Sequence, residues 1–213
     1  MRRQLASASR LRDVVDLGCG DGRVTKALTD GLGITALRAV EGYGPYRAAA
    51  TARGIDAIDA DLEQRLPFAD DTFDAVVSNQ VIEHLADTDT FVAEIRRVLR
   101  SGGVAVIATE NMASWHNIGA LLLGFQPFSS SNYSRERYPL GNPVGLHADE
   151  GMTLPDGMLH RRIFTGRALR ELVAAHGLEV VDLRGAGYHP FPPGLGRIDV
   201  MHSHFISIAA RKR

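Results

Sequence analysis

The sequence predicts an α/β fold built on a doubly wound, mostly parallel sheet with helices on both faces. Two observations carry this. Short apolar runs alternate with amphipathic or alanine-rich stretches from Val14 to Thr109, the rhythm of strands joined by crossover helices. The acidic and polar residues that stand out (Asp16, Glu41, Asp61, Asn79) lie at the carboxyl ends of those runs, where open α/β sheets bind ligands. A chain of 213 residues fits one such domain with a sizeable core.

Each element has a local reason. Val14 to Leu17 is a buried strand ended by glycines, and Arg23 to Thr29 is a helix stopped by Gly31 and Gly33. Ile34 to Val40 is the second strand, Tyr46 to Arg53 an alanine-rich helix, and Ile55 to Ala60 a third, weaker strand. Phe73 to Asn79 is the fourth. Phe91, Ile95, Val98 and Leu99 repeat at helical spacing, with Ser101-Gly102-Gly103 as the stop before a fifth strand, Val104 to Thr109. From Glu110 to about Arg162 the rhythm breaks into a long insert rich in Ser, Asn, Gly and Pro, of a length that suits a functional lid. Within it, the apolar IGALLLGF reads as core or lid packing. A helix from Thr165 to His176, with Thr165 as N-cap, and strands at Leu178 to Leu183 and His204 to Ala210 complete the chain. The division that follows is 13–110 for a cofactor-binding half, 111–162 for a substrate lid insert, and 163–213 for the C-terminal helix and strands.

Composition narrows the function. Formal net charge is −1, which gives no general electrostatic reason to bind nucleic acid or an anionic membrane. The single cysteine, Cys19, excludes an internal disulfide and suits a reducing compartment. No apolar run approaches the ~20 residues of a membrane span, and the start lacks the apolar core of a secretory signal. A cytoplasmic protein is expected.

The stretch VVDLGCGDG, Val14 to Gly22, carries the chemistry. Gly18, Gly20 and Gly22 clear side chains from a turn that a ligand approaches and permit positive φ. A dinucleotide site expects GxGxxG with pyrophosphate on the helix N-terminus. Here the third glycine comes one residue early, Arg23 holds its place, and Asp21 projects where a phosphate would sit. That disfavours an anion and favours a cationic ligand. Glu41, at the end of the second strand, can bind both hydroxyls of a ribose. Asp61 can accept from an adenine amino group while the Leu62 amide meets a ring nitrogen. The set describes a pocket for an adenosine that carries positive charge.

These motifs, with the LPFADDTFDAVVSNQVIEHL and LRSGGVAVIATEN segments, make residues 13–110 resemble the class I, Rossmann-like S-adenosylmethionine-dependent methyltransferases. HRRIFTGRALRELVAAHGLEV is a looser echo. The resemblance implies a seven-stranded sheet with an antiparallel last strand, S-adenosylmethionine as cofactor, S-adenosylhomocysteine as product, and methyl transfer to a nucleophile. It implies that Asp16, Gly18, Cys19, Gly20 and Gly22 line the methionine and ribose portion, Glu41 the ribose, and Asp61 and Leu62 the adenine. Asn79 and Gln80 end the fourth strand beside the reacting methyl. Cys19 is read as a small loop residue and not a nucleophile, since no basic partner is evident. His84, placed on a helix after the fourth strand, is the candidate general base. No metal is expected, because His202-x-His204 offers two ligands on one face without a third.

The acceptor side falls in the insert and in the 185–203 loop. Asn111, Trp115, His116, Asn117, Tyr133, His147 and His160 are the candidates to line it. Their aromatic character favours a small-molecule acceptor over nucleic acid, with oxygen ahead of nitrogen or carbon. A homodimer is compatible with the sequence. Two other classes stay open: a non-catalytic cofactor-binding or partner subunit, and a nicotinamide-dependent oxidoreductase, for which a second nucleotide-binding half is missing. Only a dozen residues precede the first strand, where many members of the family carry helices. An open pocket, one completed by another chain, and a trimmed terminus are equally compatible with that.

Overall fold

A computed structural model describes residues 1–8, 11–130, 133–135, 141–142, 144 and 156–213. In chain order the regular elements are α1 (Arg2–Leu5), β1 (Asp13–Leu17), α2 (Arg23–Thr29), β2 (Ala36–Val40), α3 (Gly44–Ala52) and β3 (Asp56–Ile58). They continue with β4 (Phe73–Asn79), α4 (Thr88–Val98), β5 (Leu99–Glu110), α5 (Trp115–Leu122), α6 (Gly166–Ala175), β6 (Leu178–Ala186) and β7 (Phe205–Lys212). The seven strands form one sheet in the order β3-β2-β1-β4-β5-β7-β6. β1 to β5 run parallel, and β7 lies antiparallel to both β5 and β6. The order reverses between β1 and β4, so the carboxyl ends of these two strands flank the switch point where such sheets open a crevice.

The strand side chains alternate between two apolar layers. Val15, Leu17 and Val76 face Phe91, Ile95, Leu169 and Val173 from α4 and α6. Val14, Ala75, Val77 and Val106 face Leu5 of α1 and Leu28 of α2. α3 closes the β2–β3 end through Ala50, packed with Ala39 and Ile55. Thr165 accepts the Ala168 amide at 3.2 Å as the N-cap of α6, as expected from its position before the apolar periodicity. Gln4 exchanges two side-chain hydrogen bonds with Ser207 and seats α1 on β7.

The structure departs from the sequence expectation at three places. Ser101-Gly102-Gly103 does not end a helix ahead of the fifth strand. α4 stops at Val98 and β5 begins directly at Leu99, so the glycines lie inside the strand, beside a register shift opposite Phe73 and Ala75. Gly103 is needed there: a Cβ would lie 2.8 Å from the Arg100 carbonyl oxygen and 3.1 Å from that of Asp74. Glu83 and His84 sit on a single 3₁₀ turn, Ile82–His84, and not on a helix proper. Lastly, Leu121, Leu122 and Leu123 face solvent, because the buried side of α5 is His116, Asn117 and Ala120. Among the described residues no helix is long and apolar enough to cross a membrane.

The starts of three strands are fastened by one carboxylate. Asp74 is buried; its Oδ2 accepts the Arg12 and Asp13 amides at 2.9 and 3.0 Å, and Arg100 donates to its Oδ1 at 2.8 Å. Burial opposes ionisation of Asp74, but the amides and the guanidinium outweigh it and hold its pKa below the usual 3.8. The stability it contributes is therefore present above pH 3.8 and lost as pH falls through the lower folded value. Replacement by alanine leaves two amides and the arginine without this acceptor, at a cost of roughly 2–4 kcal/mol near neutral pH. Urea unfolding of Asp74→Ala and the parent at pH 7 and pH 2.5 checks this: the gap between them should narrow at the lower pH.

Candidate active site

The glycine loop is held open by its own hydrogen bonds. Gly18, Gly20 and Gly22 have φ of 79°, 56° and 80°, a region that only glycine enters freely. Gly18 also has no room for a side chain, since a Cβ would meet Val81 at 2.4 Å. Gly20 has open space around the same position, as a wall facing a ligand does. The Gly18 and Cys19 amides donate to the Val40 carbonyl at 2.8 and 3.2 Å, and the Gly22 amide to that of Cys19 at 3.1 Å. The Gly20 amide donates to Glu41 Oε2 at 2.8 Å, and Tyr43 donates to the other Glu41 oxygen at the same distance.

Asp21 completes the pattern. Its Oδ1 accepts the Arg23 amide at 3.1 Å, at the start of α2, and its Oδ2 pairs with the Arg23 side chain and, at 3.6 Å, with Arg53. The Arg23 amide, followed by its side chain and Arg53, holds the Asp21 carboxyl below the usual range, so it is charged at neutral pH. Five amides of this turn, those of Gly18, Cys19, Gly20, Gly22 and Arg23, are thus engaged within the protein, two of them by carboxylates.

Around this loop opens a cavity of about 1050 Å³ at the carboxyl ends of the strands. It takes in Asp16, Gly18, Cys19, Gly20, Glu41, Asp61, Leu62, Asn79, Gln80, His84 and His160, bringing the sequence-designated acids together with the two histidines. Gly22, under the turn, packs toward Ile55 and Ala50. Asp16 is 3% exposed; Thr25 donates to its Oδ2 at 2.6 Å, while Oδ1 has no partner among the described residues. Burial drives its pKa up to about 6, against the Thr25 hydrogen bond and with help from the Glu41 charge. Asp61 is exposed and accepts the Glu63 amide at 2.9 Å, and Leu62 packs partly into the core. Gln80 takes φ 57°, a strained value for a side-chain-bearing residue, held by its amide bond to Ala108 at 2.9 Å. Burial raises the Cys19 thiol to about 12, aided by Asp16 and Glu41, so it carries no thiolate.

The far wall comes from the end of the insert. Gly157, Met158, His160 and Arg161 line it, and the Arg161 and Arg162 amides donate to the Glu83 carbonyl at 2.7 and 3.1 Å. His84 and His160 stand edge to face with ring centres 5.0 Å apart. Burial, with His160 beside it, lowers the His84 pKa to about 4, so the ring is neutral and a weak base. Glu83, 1% exposed, is pushed up to about 7 by burial.

The remaining acceptor-side candidates lie elsewhere. Asn111 is fully buried and donates to the Met201 and Ser203 carbonyls. Asn117 bonds Ser129 and the Asn111 carbonyl. Trp115 stacks on His202 at 4.5 Å and donates to Tyr188 and Asp199, knotting α5 to the loop before β7. His116 is buried 4.3 Å from His204, which in turn stacks on Phe205, so His202 and His204 enter separate clusters. Tyr133 is largely exposed, and His147 lies outside the described residues. Sequence reasoning missed Glu83, Tyr43, Tyr46 and Arg161. The two tyrosines, in edge-to-face contact at 5.1 Å, directly follow Glu41 and were signalled by that adjacency alone.

Comparison with known proteins agrees with this geometry. Residues 15–107 match a family model described as a methyltransferase domain. A probable S-adenosylmethionine-dependent methyltransferase of Mycobacterium tuberculosis is 30% identical over 204 residues, covering 90% of this chain and 67% of the relative. A ubiquinone biosynthesis O-methyltransferase of Rhizobium johnstonii is 26% identical over 181 residues, 83% of this chain and 64% of that one. Among solved structures, an S-adenosylmethionine-dependent methyltransferase of Thermotoga maritima superposes with a TM-score of 0.64 at 19% identity, over 100% of this chain and 87% of the other.

The buried Asp16 gives a pH signature. A carboxyl with a folded pKa near 6 against 3.8 unfolded opposes folding progressively between those values, and fully above them. The stability of Asp16→Asn relative to the parent should therefore shift in the variant's favour from pH 4 to pH 7, by on the order of 1–3 kcal/mol. Chemical denaturation across that range measures it.

Proposed function

The chain belongs to the S-adenosylmethionine-dependent methyltransferases, and from that premise we propose that it methylates a small molecule on an oxygen, or less favourably a nitrogen, inside the cavity described above. The cofactor of the family, S-adenosylmethionine, supplies a methyl group already activated on a sulfonium. The single observation that carries the site assignment is the loop in which Glu41 and Asp21 take the Gly20 and Arg23 amides. That wall holds two of its amides on carboxylates and presents further acids to the cavity, so it suits a cationic adenosyl ligand.

In this reading the residues divide the work. Gly18, Cys19 and Gly20 let the ligand approach the backbone while Gly22 shapes the turn beneath them, and the Asp16 Oδ1, without a partner among the described residues, is the acceptor offered to the cationic methionine end. Glu41 receives the ribose hydroxyls on lone pairs not used by Gly20 and Tyr43, as Asp61 and Leu62 receive the adenine. Asn79 and the constrained Gln80 border the reacting methyl, and residues 157–161 of the insert, acting as the lid, wall the acceptor. Alignment of nucleophile, methyl and sulfur, with exclusion of water, supplies most of the rate. His84, kept neutral because burial and His160 lower its pKa, is a poor proton sink and lines the acceptor side of the cavity. The small-molecule reading is supported by a cavity of about 1050 Å³, by the near-neutral charge, and by relatives that include ubiquinone biosynthesis O-methyltransferases.

Isothermal titration with S-adenosylhomocysteine should give one site per chain, with NADH giving none. Glu41→Ala and Asp61→Ala should each weaken binding at least about tenfold with the unfolding midpoint retained, as loss of a charge-assisted hydrogen bond requires. Unchanged affinity in both variants would remove the assignment. Transfer of labelled methyl groups to fractionated metabolites, read by mass spectrometry, then identifies the acceptor.

A further inference from the structure

Where the cofactor loop and the insert face each other, three ligating groups converge from distant parts of the chain. Glu83 and His84 lie on the 3₁₀ turn after β4, and His160 arrives from the insert. One ligating atom from each lies within 4.8 Å of the other two. The hydrogen bonds around them are informative. His84 Nδ1 is 3.2 Å from the Leu159 carbonyl and His160 Nδ1 is 2.6 Å from the Ser129 carbonyl. A carbonyl only accepts, so each ring carries its hydrogen on Nδ1 and leaves a lone pair on Nε2. Glu83 is 1% exposed; Thr109 donates to its Oε2 at 2.8 Å, and its Oε1 has no partner among the described residues. Two imidazoles and a carboxylate with an unused buried oxygen are thus gathered with no hydrogen bond linking any of the three. A cation answers that arrangement.

We infer that Glu83, His84 and His160 bind a divalent transition-metal ion of the Zn²⁺ type, with its open coordination position toward the acceptor. The inference rests on reading this cavity as the place of methyl transfer. Two nitrogens and one oxygen select a borderline ion over Mg²⁺, and three protein ligands are the number a catalytic site keeps. Ligands about 2.1 Å from a tetrahedral centre stand about 3.4 Å apart, so the three groups draw together on the ion. The carbonyls on both Nδ1 atoms are the outer contacts that fix metal-binding histidines. The Arg161 and Arg162 amides on Glu83 hold the two halves of the site together.

Such an ion activates the acceptor directly. An acceptor hydroxyl on the open position loses its proton to solvent, and the oxygen attacks the methyl carbon. The O–CH₃ bond forms as the S–CH₃ bond breaks, and the sulfonium leaves as a neutral thioether. The acceptor class is accordingly a hydroxyl compound able to bind a metal, such as a phenol, a catechol or a vicinal diol.

The test uses Co²⁺ as a spectroscopic probe on chelator-treated full-length protein. One equivalent per chain should bind with visible d–d absorption, and Zn²⁺ should displace it. His160→Ala and Glu83→Gln should each lower Co²⁺ affinity at least tenfold, while His176→Ala, at the C-terminal end of α6 beside Asp89, leaves it unchanged. Circular dichroism reports whether the variants fold, and His84→Asn provides an independent ligand deletion. Absence of stoichiometric Co²⁺ binding, or wild-type affinity in folded His160→Ala and His84→Asn, overturns the site. S-adenosylhomocysteine titration on the same chelated sample separates the two readings. Its binding without Co²⁺ uptake rejects the metal site alone, and its failure to bind rejects the cavity assignment itself.

Discussion

The bond between Glu41 and the Gly20 amide organises this molecule's cavity. It joins the loop after β1 to the end of β2, while Tyr43 holds the second oxygen of the same carboxylate. Once that link is made, the loop must arch over the sheet with Gly18, Gly20 and Gly22 at positive φ, and its amides point at protein acceptors. The switch point between β1 and β4 then becomes a pocket rimmed by acids. A similar glycine-rich turn serves phosphates elsewhere. The difference here is which acceptor holds the amides, and that depends on two side chains, Glu41 and Asp21.

The same acids work against stability. Asp16 and Glu83 are almost fully buried, each has an oxygen without a partner among the described residues, and burial raises both pKa values. A packed core would not keep such groups without compensation. Their neighbours are well satisfied: Asp74 and Glu94, also buried acids, each hold an arginine and at least one backbone amide. Incomplete satisfaction is thus confined, among these four buried acids, to the two that border the cavity. A cation reaching either oxygen restores the balance, which couples ligand binding to the folded state.

Much of the fold was legible because it is local. α2 and β4 coincide with their expected bounds, since a glycine stop and an apolar run bounded by polar residues act over a few positions. The start of β5 was not, because Ser101-Gly102-Gly103 carries the composition of a helix stop and only pairing with Phe73 makes it strand. The cofactor-side acids could be read from their place at strand ends. The acceptor wall could not: Ser129, Leu159 and His160 meet Glu83 and His84 only through tertiary structure, and nothing local distinguishes His160 from His116, which packs against His204. Asn111, reasonable as a ligand residue by sequence, bonds the Met201 and Ser203 carbonyls ahead of β7.

This division between a locally encoded half and a tertiary half bears on how specificity can change. The donor side depends on short-range bonds within and between β1, β2 and their loops, so it tolerates little. The segment around His160 is attached to the turn after β4 through the Glu83 carbonyl, which takes the Arg161 and Arg162 amides, through the Arg162 side chain on the Ala86 carbonyl, and through His84 Nδ1 on the Leu159 carbonyl. The side chains of Met158 and Arg161 take no part in these bonds and can vary without breaking them. Substitutions there alter the shape of the cavity wall while Glu41, the glycine loop and the strained Gln80 stay in place. Exchange at His160 is different in kind, because it removes the Ser129 contact and the partner ring of His84 together. On the proposed function, acceptor choice can therefore drift along this segment, with His160 as its fixed point.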